Sequence, residues 1–504
     1  MEELCEETSS LAFDLFDRYG RLDREYCEHK IRKGSGVWGK ELDHGDILLF
    51  QSINVEPLRR RQGLGTKLVN AILDKAGHES ESLFAFASPT RLTLELDYND
   101  VPEQSEIFRH FFRSMGFRRV GTSGWLAFTD NDSHPSRQLD KAQDWDDPES
   151  SKEEQPTPEL IDTILGSLCD PSTTGMEYVF QMEKAFAVEE NAPLWMYTHE
   201  EGDTILHAAA ICRKADLISY IMSKNPHLAG KRNDDGYTPL EALRSNMELQ
   251  RTRRCIGRVT DVISDSFEGF CQSDIACLAA LTGTEIFDLT KLSDQDTWAV
   301  SSATDGMASR VREVNPIRNT LRLKYGCTCG QCIGGFLSPR MRFALLFQAE
   351  TKHDMLREFP EIDCGSDWVE LNDDLLCFFS PEVRQNLETN KSMREGFVNM
   401  CDHIASCLRQ KRLPNTATVL DFYRDEVSEW PPVTRNYLQR GGTVAAVAMM
   451  LFDRAMDADE WAGDGTLMEV YEEDIEAPIH QFPACRNDHE FGFVSRMCGY
   501  EGIM

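Results

Sequence analysis

Basic residues are scarce in this chain: 53 Lys and Arg stand against 85 Asp and Glu, a formal net charge of −32. Such an excess repels nucleic-acid phosphates and anionic lipid headgroups, so neither is expected as a general partner. Long apolar runs are missing too. The longest, Val444 to Phe452, falls far short of the ~20 residues that cross a bilayer. The opening stretch, Met1-Glu2-Glu3-Leu4-Cys5-Glu6-Glu7, has neither the basic nor the apolar region of a secretory signal. No Gly-Lys-Ser/Thr phosphate loop occurs, and no second C-x-x-C pair stands beside the one described below.

Cysteine, by contrast, is plentiful. Sixteen residues in a chain without a secretory leader read as reduced thiols, which places the protein in the cytoplasm or the nucleus. A length of 504 residues exceeds what one core organises, so two to four domains are expected. Apolar content of 41% and charged content of 27% fit a globular protein.

Residues 1–20 carry Leu11, Phe13, Leu15 and Phe16 near one side of a short helix. An apolar strand is expected over Ile47 to Val55, ended by Pro57. A helix follows with Leu64, Leu68, Ala71, Ile72 and Ala76 at helical spacing, stopping at Gly77. Leu83 to Ala87 reads as a second strand and Glu103 to Met115 as a helix. Two short strands, Phe117–Val120 and Trp125–Phe128, finish the unit. Residues 130–158 are acidic and poor in large apolar side chains, the composition of a flexible linker. From about residue 255 the sequence is helical in flavour. Its clearest helices are Asn386 to Arg409 and Tyr437 to Met456.

A pyrophosphate needs several backbone N–H groups aimed into one concavity, best supplied at a helix N-terminus and lined with glycine. Gln62-Gly63-Leu64-Gly65-Thr66, between the first strand and its helix, meets that need. Arg59, Arg60 and Arg61 add positive charge beside it. The segment is not a dinucleotide fingerprint, because Leu68 takes the place of the third glycine. The stretch Val55-x-Pro57-x-x-Arg60-x-x-Gly63-x-Gly65 resembles the acetyl-CoA motif of the GNAT N-acetyltransferases. Phe111-Phe112-Arg113-Ser114-Met115-Gly116-Phe117 is similar to that family's closing helix. The likeness covers roughly residues 45–129.

The resemblance implies a GNAT-like α+β domain over 1–129 with acetyl-CoA as co-substrate. The amides of Arg61, Gln62, Gly63, Leu64, Gly65 and Thr66, aided by Arg60, would hold the pyrophosphate. Ile53, Asn54 and Val55 would splay from the strand at Leu83 to Ala87 and open a slot for pantetheine, where an amine attacks the thioester. At the position where the family often carries a proton-donating Tyr, this chain has Phe112, which reads as core. No general base is identified. Asp43, His44, Asp46 and Glu56 lie close in sequence to the slot, and solvated surface carboxylates are commoner than catalytic ones. Two functions stay open: acetyl transfer to an amine, and a non-enzymatic interaction protein with a degenerate acyl-CoA binder.

After the linker, Gly202-Asp203-Thr204-Ile205-Leu206-His207-Ala208-Ala209 recurs as Gly236-Tyr237-Thr238-Pro239-Leu240-Glu241-Ala242-Leu243. The shift is close to the ~33 residues of an ankyrin unit, which the segment resembles. The resemblance implies a protein-docking array over 159–254, and two copies need caps on either side. A mainly helical region of unknown role would fill 255–504. Cys327-x-Cys329-x-x-Cys332 is the densest possible metal-ligand set. Three thiolates suit zinc, with a distant fourth ligand from Cys364, Cys485, His489 or Cys498; free thiols packed under helices are the other reading. The whole is expected to be multidomain, an α+β domain followed by mainly α-helical regions.

Overall fold

The computed structural model describes residues 6–17, 20–80, 82–89, 101–144, 167–168, 170, 172–186, 197–198, 202–256, 259–262, 267–291, 314–358, 364–426, 429–463 and 481–501. The chain is rich in helix and divides into two compact units, the first mainly residues 1–156 and the second mainly residues 157–504.

The first unit is built on one small mixed sheet. Helices α1 (Glu6–Leu15) and α2 (Arg24–Glu28) precede β1 (Asp46–Phe50), α3 (Leu64–Glu79) and β2 (Leu83–Ala87). Then come α4 (Val101–Ser114), β3 (Arg118–Arg119), β4 (Leu126–Thr129) and the short α5 (Pro135–Gln138). The strand order is β1-β2-β4-β3. β1 runs parallel to β2, as a helical crossover requires, and the other pairings are antiparallel. β2 is buried along its whole length, because apolar clusters cover both faces. Leu11, Leu15, Trp38, Phe84 and Phe86 lie in one cluster; Val69, Leu73, Ala85, Phe112 and Phe117 lie in the other.

Three expectations shift here. β1 stops at Phe50 instead of reaching Val55. α3 runs through Gly77 to Glu79 and buries Val69 and Leu73, leaving Leu64 and Leu68 exposed. The stripe facing the sheet is therefore set by the Val69–Leu73 pair at i,i+4. Residues 130–144 are not a free linker. Asp144 is buried and its carboxylate accepts from Arg113 Nε at 2.8 Å. Leu139 O accepts from Arg118 Nε at 2.9 Å. Buried guanidinium groups need acceptors, and this acidic stretch supplies them. The rest of the expected linker, 145–158, lies outside the described residues.

The second unit is helical. It contains α6 (Gly175–Phe186), α7 (Ile205–Ile211), α8 (Ala215–Lys224), α9 (Pro239–Thr252), a hairpin of β5 (Arg253–Ile256) and β6 (Val259–Val262), and α10 (Gln272–Thr282). Beyond them are α11 (Val314–Lys324), α12 (Pro339–Glu358), α13 (Gly365–Leu371), α14 (Pro381–Thr389), α15 (Lys391–Arg409), α16 (Thr416–Glu426), α17 (Val433–Gln439), α18 (Val444–Gly463) and α19 (Phe491–Met497). α7 packs on α9, α8 on α10, and α6 covers α8, so two helical pairs stack like on like. Because α10 is the second helix of the second pair, the stack runs past residue 254, and α10 passes its contacts on to α11.

α15 is the central helix of the remainder, buried between α12 and α17. Two expected helices are broken. Asn390 takes an extended conformation and accepts from the N–H groups of Ser392 and Met393, separating α14 from α15. Gly441, at φ +91°, and Gly442 separate α17 from α18. Gly442 lies flat against the Tyr437 ring, where a Cβ would approach within 2.3 Å. No helix among the described residues is long and apolar enough to cross a membrane.

Candidate functional sites

The loop of the first unit follows from how β1 ends. The parallel ladder closes at Phe50 opposite Ala87, and residues 51–56 continue outside it. The backbone then turns through left-handed geometry at Arg61, φ +62°, and at Gly63, φ +75°. Gly63 is the N-cap of α3 and no side chain caps that helix. The amides of Leu64, Gly65 and Thr66 fall in its first turn, where intrahelical acceptors do not exist, and the helix dipole is positive. Gly65 is half-buried; a Cβ there would lie 3.5 Å from the Phe111 ring and 3.9 Å from Val55 Cγ2. Gln62, Gly63, Leu64 and Thr66 are exposed around it.

The cationic residues differ in role. Arg59 pairs with Glu56 at 3.3 Å. Arg60 Nε donates to Val55 O at 2.8 Å, so this arginine closes the loop on itself and occupies a carbonyl expected to face a ligand. Arg61 is exposed. Ile53 and Val55 are half-buried and Asn54 is exposed, all three past the paired part of β1.

Phe112 is fully buried and packs against Phe50, Phe111 and Phe117 with centroids 4.9–5.9 Å apart. The ring is core and offers no proton. Among the possible bases, Asp43 accepts from Leu22 N–H at 2.6 Å, and burial pushes its carboxyl above the ordinary range. It is a structural cap. Glu56 is held by Arg59.

In the second unit, Thr204 and His207 form a capping box at the start of α7. His207 Nε2 donates to Tyr237 O at 2.9 Å, and Nδ1 accepts from Thr204 Oγ1 at 2.9 Å. Burial lowers the His207 pKa, so the neutral ring bridges the two copies. Sequence reading missed Arg213. At φ +57° in the turn between α7 and α8, it donates to Asn246 and Gln250 of α9 and pairs with Asp274 of α10 at 2.9 Å.

The Cys tract gives the tightest constellation. Cys327, Cys329, Cys332 and Cys485 place their four Sγ atoms within 4.8 Å of one another. Neighbouring sulfurs stand 3.6, 3.4 and 3.3 Å apart. These spacings exceed the ~2.05 Å of a disulfide and sit near the ~3.8 Å tetrahedron edge implied by a metal–sulfur bond of about 2.3 Å. Gly330, at φ +76°, turns the loop between Cys329 and Cys332, and Gln331 N–H donates to Cys329 Sγ at 3.3 Å. Cys485 N–H donates to buried Asp488 at 2.7 Å. Hydrogen bonds among the four thiols push them in opposite directions: Cys327 is held below its ordinary range, and Cys329 and Cys332 are pushed above theirs. Of the four candidates for the distant ligand, Cys485 is the one brought in. Cys364 caps α13 and is exposed, and Cys498 belongs to the apolar core. Elsewhere Cys212 is disulfide-bonded, which departs from the expectation of wholly reduced cysteines.

Compared with models of protein families, with curated proteins and with solved structures, the chain matches none.

Proposed function

We propose that the first unit binds an acyl-CoA and passes its acetyl group to an amine, as the resemblance to the GNAT N-acetyltransferases implies. One observation carries this reading. Two parallel strands end together at Phe50 and Ala87, and the chain leaving the first turns at Gly63 into a helix N-terminus that no side chain caps. That is the arrangement a pyrophosphate at the end of an extended pantetheine requires. Leu58 and Leu68, 88% and 50% exposed, offer apolar surface beside the loop. The strongly acidic chain would steer cationic amines toward it.

The buried Phe112 favours a second reading, an acyl-CoA binder without efficient transfer, in which the stacked helical pairs of the second unit dock a protein. Calorimetry on the full chain with acetyl-CoA tests both. Binding by the wild type and its loss in Gly63→Trp are expected; a wild type that binds nothing would sink the cofactor reading. Release of CoA thiol with an amine separates transferase from binder.

The four-cysteine cluster is proposed as a structural zinc centre. An all-sulfur, near-tetrahedral donor set suits zinc or iron over calcium or magnesium, and four protein ligands leave no open position for catalysis. Metal analysis of the purified chain should find about one zinc per molecule; iron in its place would reassign the centre, and neither metal would end the proposal.

A further inference from the structure

Arg251, at the end of α9, is 1% exposed. Its guanidinium lies over the contacting rings of Phe267 and Phe493, 4.8 and 5.0 Å from their centroids. Nη2 donates to Asn487 Oδ1 at 2.7 Å. Nη1 reaches Tyr325 O at 3.5 Å. Asn487, itself fully buried, donates through Nδ2 to Tyr325 O at 3.2 Å and to Gly335 O at 3.5 Å.

The sequence positions give these contacts their meaning. Tyr325 stands two residues before Cys327, Gly335 three after Cys332, and Asn487 two after Cys485. The loop carrying three of the thiols and the segment carrying the fourth are thus joined a second time, through Asn487. The orientation of that amide is set by an arginine from the stacked helical pairs. A hydrogen bond that orients a ligand-bearing segment does for a metal centre what outer-shell partners generally do.

We infer that Arg251 is a positioning residue for the four-cysteine metal centre. Acting through Asn487, it fixes Cys485 against the Cys327–Cys332 loop and couples metal occupancy to the docking of the α9 end. The inference rests on the zinc reading above but can fail apart from it. Metal–sulfur bonds hold the same two segments, so metal and Arg251 favour one arrangement, and coupling of this kind runs both ways. Binding the ion should tighten the end of α9, and loosening that end should weaken the ion.

The test uses the full chain, with zinc affinity measured by competition against a chromophoric chelator. Arg251→Met and Asn487→Ala are expected to weaken zinc about 10- to 100-fold, the range seen for outer-shell changes. Arg251→Lys should restore part of the loss, and Arg409→Ala, in an exposed ion pair with Glu350, should change nothing. Equal affinity in wild type, Arg251→Met and Asn487→Ala overturns the coupling and leaves the zinc centre standing. A wild type without zinc overturns both. Should the variants fail to fold even with zinc, hydrogen exchange of the wild type decides: chelation is expected to raise exchange at residues 247–252, and unchanged protection there overturns the inference.

Discussion

Glu241 stands where His207 stands one repeat earlier, and the two close the same box with different chemistry. Thr238 N–H donates to Glu241 Oε2 at 2.8 Å, and Glu241 N–H donates to Thr238 Oγ1 at 3.3 Å. Glu241→Ala should cost about 1 kcal/mol by chemical denaturation, an ordinary capping loss. His207 bridges two copies from a fully buried position, so His207→Ala removes one of the two N–H donors to Tyr237 O and the acceptor of the buried Thr204 N–H, and should cost more, roughly 1–3 kcal/mol. In the first unit Arg113 and Asp144 are buried together. Asp144→Ala removes the carboxylate that faces a buried guanidinium, and a loss of about 3–5 kcal/mol is expected; a loss under 1 kcal/mol would mean that water reaches the pair. The positions of Thr204 and His207 were legible in the sequence as part of a repeat, and the box they close was not. Nor was the Arg113–Asp144 pair. Thirty-one positions separate its members, and an acidic stretch poor in apolar residues reads as solvated until a buried cation is known to face it.

At the level of elements, the α3 loop shows how local spacing and packing divide the work. The glycines and the helix start were readable, since left-handed backbone and an uncapped N-terminus follow from Gly63 and its neighbours. The face that α3 buries was not, because Leu64 and Leu68 satisfy helical periodicity as well as Val69 and Leu73 do, and only the sheet beneath chooses. Gly63→Asn should retain the turn, since Asn tolerates left-handed backbone, and no atom lies within 4 Å of its Cβ position. Near wild-type stability with weaker acetyl-CoA binding is expected, read from thermal melts alongside calorimetry. The breaks at Asn390 and Gly441–Gly442 escaped notice for a related reason. Apolar residues keep their period across each break, and what ends the helix is a cap in one case and a ring pressed on backbone in the other.

For the whole molecule, acid should act first on the second unit. His207 and His403 are both buried, and burial lowers both pKa values. Unfolded histidines take a proton near pH ~6.5, whereas these two take theirs only at lower pH in the folded chain. The unfolded state therefore binds more protons as pH falls below that point, and stability declines, by up to about 1.4 kcal/mol per pH unit for each histidine. His207→Gln should make the decline shallower by as much as one proton, measured from urea transitions between pH 7 and 5 at one fixed zinc concentration. An unchanged slope would mean that His207 is protonated in the fold.

The separation of the thiols also sets an order of events during synthesis. Cys332 and Cys485 lie 153 positions apart. At about 5–20 residues per second, the ribosome needs roughly eight to thirty seconds to travel from one to the other. Through that interval the nascent chain displays three thiols that only a transient fourth donor can complete. An ion taken up early would have to be handed to Cys485 once that residue clears the exit tunnel. With zinc in place as proposed, a filled centre marks a chain read through past residue 485, and a product halted earlier is distinguishable by its inability to keep the metal.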